Sequence, residues 1–441
     1  MSELGLFDID PRELVASEAA AEEAPSGAPP RLLKPDRAQV RMQAASLDAL
    51  VSPVHRVRAI WRFVESLDLT TLLAPIKSRE HGPGHPAIDR RILLALWLYA
   101  TSKGVGSARE IERLCAEHDV YRWICGGVSV NYHTLSDFRS SQGDAFSELL
   151  QQLLTTLLHN KIVRVKRVAH DGMRVRASAG ADSFHREATL EECRKQAKKL
   201  VKRAAKRSKD PHRDRKKRAA QLRAAEDQLE RVKRALEELP QVRAAKKNDE
   251  QRANARVSTT DPDARVMHMP DGGFRPAYNV QLATDTESRV IIGVQVTNSG
   301  GDAGQVMPML EEVEQRTGKL PKELLVDGGF VNLDAIDEAA RKGVTVYAPV
   351  PKPKQEGVDP HEPKPSDTKT VAAWRRRMKT DRAKEIYKDR AATAETVNAD
   401  LSTKQGMGPL SVRGLDKVLS VALLSALTYN ALRAITLGVF A

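Results

Sequence analysis

The sequence predicts an α/β protein: a mixed five-stranded sheet with flanking helices, interrupted by a basic helical hairpin and preceded by an all-helical region. Three observations lead there. Short apolar runs of strand character recur at 162–177, 265–297, 324–326 and 344–349, with segments of helical periodicity between the later ones. A 3-4 apolar spacing dense in Lys and Arg fills 187–240. From residue 54 to residue 139 the apolar spacing is helical, with Gly-containing breaks.

With 441 residues the chain is too long for one ordinary core and should form two or three domains. The net charge of +13 is concentrated: Arg194–Arg234 alone carries 18 Lys/Arg against 5 Asp/Glu, so the remainder is about neutral. A block of that kind points to a polyanion, most simply nucleic acid; the alternative is a charged, solvated helix pair. Cys115, Cys125 and Cys193 form no CxxC and no disulfide framework, which fits a reducing cytoplasm and argues against structural zinc. No signal peptide is visible, and the apolar stretch Val418–Tyr429, broken by Ser and Thr, is too short to span a membrane.

In chain order, residues 1–35, rich in Ala, Glu and Pro, read as a disordered tail. A helical domain is expected over 40–158. Within it, Ile88–Ser102 is an apolar buried helix, and Ser107 with Glu110 makes a capping box for the next. Gly126-Gly127 breaks a short third helix, and a polar last helix carries His133 and Arg139. Short helices around a Gly turn suit a helix-turn-helix, with Arg109, His133 and Arg139 at or near DNA; plain packing domains share the pattern. His81 and His85 flank Gly and Pro and belong to a loop.

A core is expected at 160–182 and 256–441, interrupted by the hairpin at 186–242 and carrying a Pro/Lys linker at 350–367. Its strands are Ile162–Val168 with a possible continuation through Ala177, Arg265–Met269, Ala277–Asp285, Arg289–Thr297, Leu324–Val326 and Val344–Pro349. Asp302 is expected to cap a helix over Gln305–Thr317, and Leu333–Lys342, Val371–Asn398 and Val412–Leu437 are further helices. The outward Lys198, Lys202, Arg203, Lys216, Lys217 and Arg218 of the hairpin would face solvent or phosphate.

The chemistry lies in isolated acids. Asp171 stands in a strand among apolar and basic neighbours, where a carboxylate is costly unless compensated. His170 beside it points to the other side of the pleat and reads as structural. Asp327 ends a short buried strand at Asp327-Gly328-Gly329. On a helix with about 100° per residue, Arg390 lies near Tyr387's face and Glu395 about 80° round from it, so one side carries a phenol, a guanidinium and a carboxylate. The element order is that of an RNase H-like core, in which the first and fourth strands are neighbours and the last helix crosses them. Asp171, Asp327 and Glu395 would then converge. Three carboxylates cannot share a point unpaired, and Mg2+ (or Mn2+), as two ions, would resolve this while stabilising the attacking and leaving oxygens of a phosphoryl displacement.

The ordered set His170-Asp171-Gly172, Ala277-Tyr278-Asn279-Val280-Gln281, Val326-Asp327-Gly328-Gly329-Phe330, then Tyr387, Arg390 and Glu395, resembles bacterial insertion-sequence transposases of the DDE type. Ser107–Arg139 and Val412-Arg413-Gly414-Leu415 are similar to the same group, and the likeness runs over about residues 40–438. The resemblance implies cleavage at the ends of a DNA element by metal-bound water and attack of the freed 3′-hydroxyl on target DNA. It implies no nucleotide cofactor, no membrane, and a homodimer on double-stranded DNA in the cytoplasm. Tyr387 and Arg390 would hold a DNA strand near the metals. The family often has a lysine two helical turns after the glutamate; here Ser402 stands there, and Lys404 is the nearest lysine. A regulator that binds DNA without cutting and a structure-specific nuclease on the same core are the alternatives.

Overall fold

The computed structural model describes Ala38 and residues 46–78, 83–208, 214–353 and 357–440. The expected tail over 1–35, His81, the hairpin tip and part of the 350–367 linker lie outside the described residues.

Among the described residues a 3-10 turn (Asp48–Leu50) precedes seven α-helices: α1 (Arg56–Glu65), α2 (Thr70–Leu73), α3 (Arg90–Ser102), α4 (Ala108–Glu117), α5 (Asp119–Cys125), α6 (Tyr132–Ser141) and α7 (Gly143–His159). Asp89 caps α3 by accepting from Arg91 N, and the helix is buried from Ile92 to Thr101. The expected capping box at α4 is half made. Ser107 Oγ accepts from Glu110 N at 3.4 Å, but the Glu110 carboxylate turns to Arg113 instead of reaching back.

The sheet follows with β1 (Arg167–Arg176), a short β2 (Phe184–His185), then helices α8 (Glu187–Ser208), α9 (Arg215–Ala244) and α10 (Asp249–Ala253). Then come β3 (Val257–Ser258), β4 (Arg265–His268), β5 (Phe274–Asp285), β6 (Ile291–Thr297), α11 (Val306–Thr317), β7 (Glu323–Leu325), α12 (Leu333–Arg341) and β8 (Thr345–Tyr347). The chain ends in α13 (Lys369–Lys379), α14 (Asp381–Arg390), a π turn (Ala391–Glu395), α15 (Thr396–Ala399), a second π turn (Asp400–Lys404) and α16 (Leu415–Thr436).

Among the described residues the main sheet has six strands in five columns, where five strands were expected, because β4 and β6 both pair with the same edge of β5. Strand β5 is long enough to pair β4 through Phe274–Ala277 and β6 through Asn279–Thr284 on one edge, while its other edge takes β1. Beyond β1 lie β7 and β8, both parallel to their inner neighbours, so the sheet is mixed.

Three further expectations change. Residues 162–166 are not strand, because Val165 takes φ 52°, a conformation a β-branched residue rarely adopts, and its buried N–H donates to Asp285 Oδ1. The helix expected over Val371–Asn398 is broken at Thr380, which is extended (ψ 146°) and whose hydroxyl accepts from Ala383 N to start α14. Helix α9 runs through Pro240 to Ala244 instead of stopping near it.

Helix α16 joins the halves. Its buried face packs on α7, α3 and α6 on one side and on β6 on the other, and one continuous apolar cluster holds side chains of both regions. By length and composition α16 could cross a membrane, but 67% of its apolar window is buried here, as in a core helix. Buried Asn430 closes the β6 edge: its Oδ1 accepts from Ile291 N and its Nδ2 donates to Ile291 O, at 2.9 and 2.7 Å. Helices α8 and α9 pack together along Leu190, Ala197, Ala225, Val232, Ala235 and Leu239, but Leu200, expected in that seam, is 44% exposed.

Candidate active site

The register of two parallel strands sets the site. Ala169 of β1 pairs with Leu325 of β7, so Asp171 and Asp327, each two residues on, leave adjacent strands at the same level. Asp327 Oδ1 accepts from Gly329 N at 2.8 Å and caps the single 3-10 turn Gly328–Phe330. Asp171 keeps 16% of its side chain exposed; its Oδ1 accepts from Gly172 N and its Oδ2 from Asn398 Nδ2 at 3.1 Å. Burial pushes the Asp171 carboxyl up to about 6; Arg390 and the Gly172 N–H oppose this, and the charges of Asp327 and Asp302 add to it.

Helix α14 reaches the strands through Arg167, whose guanidinium pairs with Glu323 of β7 and Asp389 of α14. The Tyr387 hydroxyl donates to Val326 O at 3.1 Å, which pins α14 one residue before Asp327. That phenol is therefore a strut, with the Arg390 guanidinium 5.8 Å over its ring. Arg390 Nη1 lies 3.6 Å from Asp171 Oδ2, and its Nη2 donates to Glu395 Oε1 at 3.0 Å. The π turn Ala391–Glu395 accounts for the five-residue spacing. In an α-helix residues five apart diverge, whereas π geometry bonds i to i+5 and stacks Glu395 over Arg390. Glu395 itself is 60% exposed and turned toward Arg390.

A second layer lies behind β1. His170 and Gly172 alternate with Asp171, so they face the other side of the sheet together with Asn279 and Gln281 of β5. His170 is fully buried, its Nε2 is 2.7 Å from Gln281 Oε1, and burial lowers its pKa to about 4. The structural reading of His170 agrees with this. Asp302 does not cap α11, which Gln305 precedes without a side-chain cap. Instead Asp302 Oδ1 accepts from Asn279 Nδ2 (2.7 Å) and Gln281 Nε2 (2.8 Å), and Arg174 lies 3.5 Å from its Oδ2. The carboxylate fits under β1 only because Gly172 has no side chain: a Cβ there would stand 2.6 Å from Asp302 Oδ1, 2.6 Å from Gln281 Nε2 and 2.7 Å from Asn279 Oδ1. The sequence reading expected Asp302 only as a helix cap and missed its place behind β1. Its spacing before a helix imitates a cap, and the one available signal was the amide pair Asn279/Gln281 alternating on a neighbouring strand.

The other expected residues divide. Arg109 and His133 are exposed, Arg109 lying over Tyr132 and the His133 ring stacking beside the same tyrosine. Arg139 is not at the surface. It is 7% exposed, donates to Gly106 O at 2.6 Å and stacks 4.4 Å over Trp97, and burial lowers its pKa to about 10. It braces α6 against α3 and is corrected from a DNA contact to a packing residue. Lys198, Lys202, Arg203, Lys216 and Lys217 are exposed on the helix pair, and Arg218 is partly buried. Lys404 pairs with Asp400 at 2.7 Å in the second π turn.

The site thus gathers two buried-edge carboxylates, a third across Arg390, and a fourth behind the sheet. Among the described residues no three His, Cys, Asp or Glu side chains close on one point. The donor chemistry nevertheless suits a hard divalent cation: the carboxyl of Asp171 is held high by burial and by two neighbouring carboxylates, with one guanidinium in partial compensation.

Comparison with known proteins gives two family matches. A transposase DDE domain matches residues 254–431, a stretch with Asp302, Asp327, Tyr387, Arg390 and Glu395, and a transposase domain of the DUF772 family matches residues 45–141. The two matches leave out 142–253, where Asp171 and the helix pair α8–α9 lie. No curated protein and no solved structure matches the chain. A DDE domain carries out metal-dependent phosphoryl transfer on DNA, and the helical region ahead of it is of transposase type. The chain is therefore a member of the DDE-type insertion-sequence transposases, a DNA transposase.

Proposed function

We propose that Asp171, Asp327 and Glu395 are the acids of this transposase, and that the main sheet with α14 and its π turn is an RNase H-like core. The observation that carries the reading is the parallel β1–β7 register, which brings Asp171 and Asp327 out together beneath the helix that bears Glu395. The three carboxylates would hold Mg2+ or Mn2+, as two ions, which supply Lewis-acid stabilisation of the attacking and leaving oxygens. Arg390, now bridging Asp171 and Glu395, frees both carboxylates when its guanidinium moves to a phosphate oxygen, the partner a planar fork suits best. Tyr387 keeps α14 fixed on Val326 while this happens.

In this reading 40–158 is a DNA-binding domain whose exposed Arg109 and His133 face the element end, and the hairpin at 186–242 is a coiled-coil arm whose basic surface follows phosphates. Two copies on DNA cut the element ends and join the freed 3′-hydroxyls to target DNA. The test is a strand-transfer assay with Mg2+ and duplexes bearing the element ends. Cleavage with joining is expected. Cleavage without joining would make the protein a nuclease, and binding without either would make it a regulator. Asp171→Ala, Asp327→Ala and Glu395→Ala should each abolish both steps while end binding persists, since phosphate contacts elsewhere carry the affinity.

A further inference from the structure

A pocket of about 230 Å3 opens where the helical region meets the segment that follows Glu395. Four cationic side chains from four separate elements line it: Arg56 at the start of α1, Arg289 in the β5–β6 turn, Lys404 in the second π turn and Arg433 in α16. The one carboxylate in the lining, Asp400, is already paired with Lys404. Arg433 spends its Nε on Ser288 O, a neutral carbonyl. Arg56 and Arg289 are exposed and form no ion pair among the described residues. Arg289 is held at φ 58°, in a conformation non-glycine residues rarely adopt, with its N–H bonded to Asp285 O at 2.8 Å.

We propose that this pocket binds a backbone phosphate of the DNA strand that passes the acids. Four like charges from distant parts of the chain repel one another unless an anion joins them, and among the described residues no acid is paired with Arg56, Arg289 or Arg433. A cavity of this size admits a phosphodiester group. Its position fits a strand rather than a free anion, because Thr396, the residue after Glu395, also lines it. Guanidinium forks suit phosphate oxygens. The location of the strand rests on the proposed role of Asp171, Asp327 and Glu395; the presence of an anion site does not.

The experiment uses the full chain and the double variant Arg56→Gln/Arg289→Gln, two residues outside the acid site. Binding is measured by fluorescence anisotropy across a salt series, on an element-end duplex and on an unrelated duplex of equal length. Losing one phosphate contact should flatten the slope of log K against log salt by about 0.9 and weaken both duplexes by the same factor. The charge-retaining Arg56→Lys/Arg289→Lys variant should restore the slope, which a folding defect would not allow. In a scan replacing single phosphates by methylphosphonate, one position beside the cut should weaken the wild type severalfold and leave the double variant unchanged. An unaltered salt slope overturns the proposal. So does the absence of any methylphosphonate position that the double variant silences; inorganic phosphate raising the melting temperature of the wild type alone would then mark a free-anion site. Cleavage by Asp171→Ala, run alongside, separates the two readings: activity there would sink the acid assignment and leave the binding result standing.

Discussion

Gly172 is the residue on which the two layers of the site depend. A methyl group at that position would enter the space of Asp302, Gln281 and Asn279, all within 2.7 Å of where it would stand. Gly172→Ala should therefore push the buried amides off Asp302 and abolish Mg2+-dependent cleavage, with a stability loss of about 1–3 kcal/mol in urea unfolding. Retained cleavage would mean the layer behind β1 has no part in the site. Asp302→Asn, which keeps the shape and removes the charge, should weaken Mn2+ binding followed by calorimetry more than it lowers the melting temperature. Equal loss in both would reduce Asp302 to a structural acceptor. At this scale the sequence was readable where a residue was chemically isolated. Asp171 and Asp327 stood out because a lone acid at a buried strand needs a reason. Asp302 and Arg139 did not, since an acid before a helix and an arginine on a polar helix look the same whether they face solvent or the interior. Only the tertiary neighbours, Gln281 and Asn279 for the one and Trp97 for the other, decide.

Among the elements, the last core helix shows what periodicity can and cannot give. The helix carrying Tyr387, Arg390 and Glu395 was evident from sequence, but ideal α geometry set Arg390 and Glu395 well apart. The π turn that stacks them has no compositional signature in Ala-Ala-Thr-Ala-Glu. The start of β1 was misplaced for a related reason. Alternating Val and Lys/Arg over 162–168 reads as a strand, yet the left-handed turn at Val165 is fixed by a carboxylate 120 positions away in sequence. Helix α16 offers a direct test at this scale. Asn430 satisfies both backbone groups of Ile291 on the β6 edge, so Asn430→Ala would leave a buried N–H and a buried C=O without partners. Each costs about 1–3 kcal/mol. A large drop in urea midpoint at unchanged m-value is expected; a drop under about 0.5 kcal/mol would mean that water replaces the amide.

For the whole molecule, charge and core are distributed differently. The basic block sits on α8 and α9, while the one large apolar cluster joins the helical region, the sheet and α16. If the helix pair lies along DNA, reversing Lys198, Lys202, Lys216 and Lys217 should flatten the salt dependence of binding by several log units per log salt, equally for all sequences. An unchanged slope with loss of the oligomer on gel filtration would instead show that the pair holds two subunits together. The alternation of strands and helices and the basic helix pair were legible in the sequence, because period and charge change abruptly there. It did not reveal that the helical region shares its core with the sheet, which follows from the two faces of α16 being apolar in different directions.

The insertion stands on a two-strand stem, β2 with β3, and buries Leu190, Ala235, Leu239, Val242, Ala255 and Val257 in a small cluster of its own. Two ion pairs, Arg234–Asp263 and Arg265–Glu238, join its root to the rest. An element with a private core and a narrow attachment has its own free energy of opening, below that of the molecule as a whole. Native-state hydrogen exchange should accordingly resolve two classes of protected amides, with 187–208 and 215–244 exchanging first and together. The arm can then lose and regain its structure while the acids stay in register. If the helix pair follows DNA as proposed, its opening need not disturb the geometry of the acids.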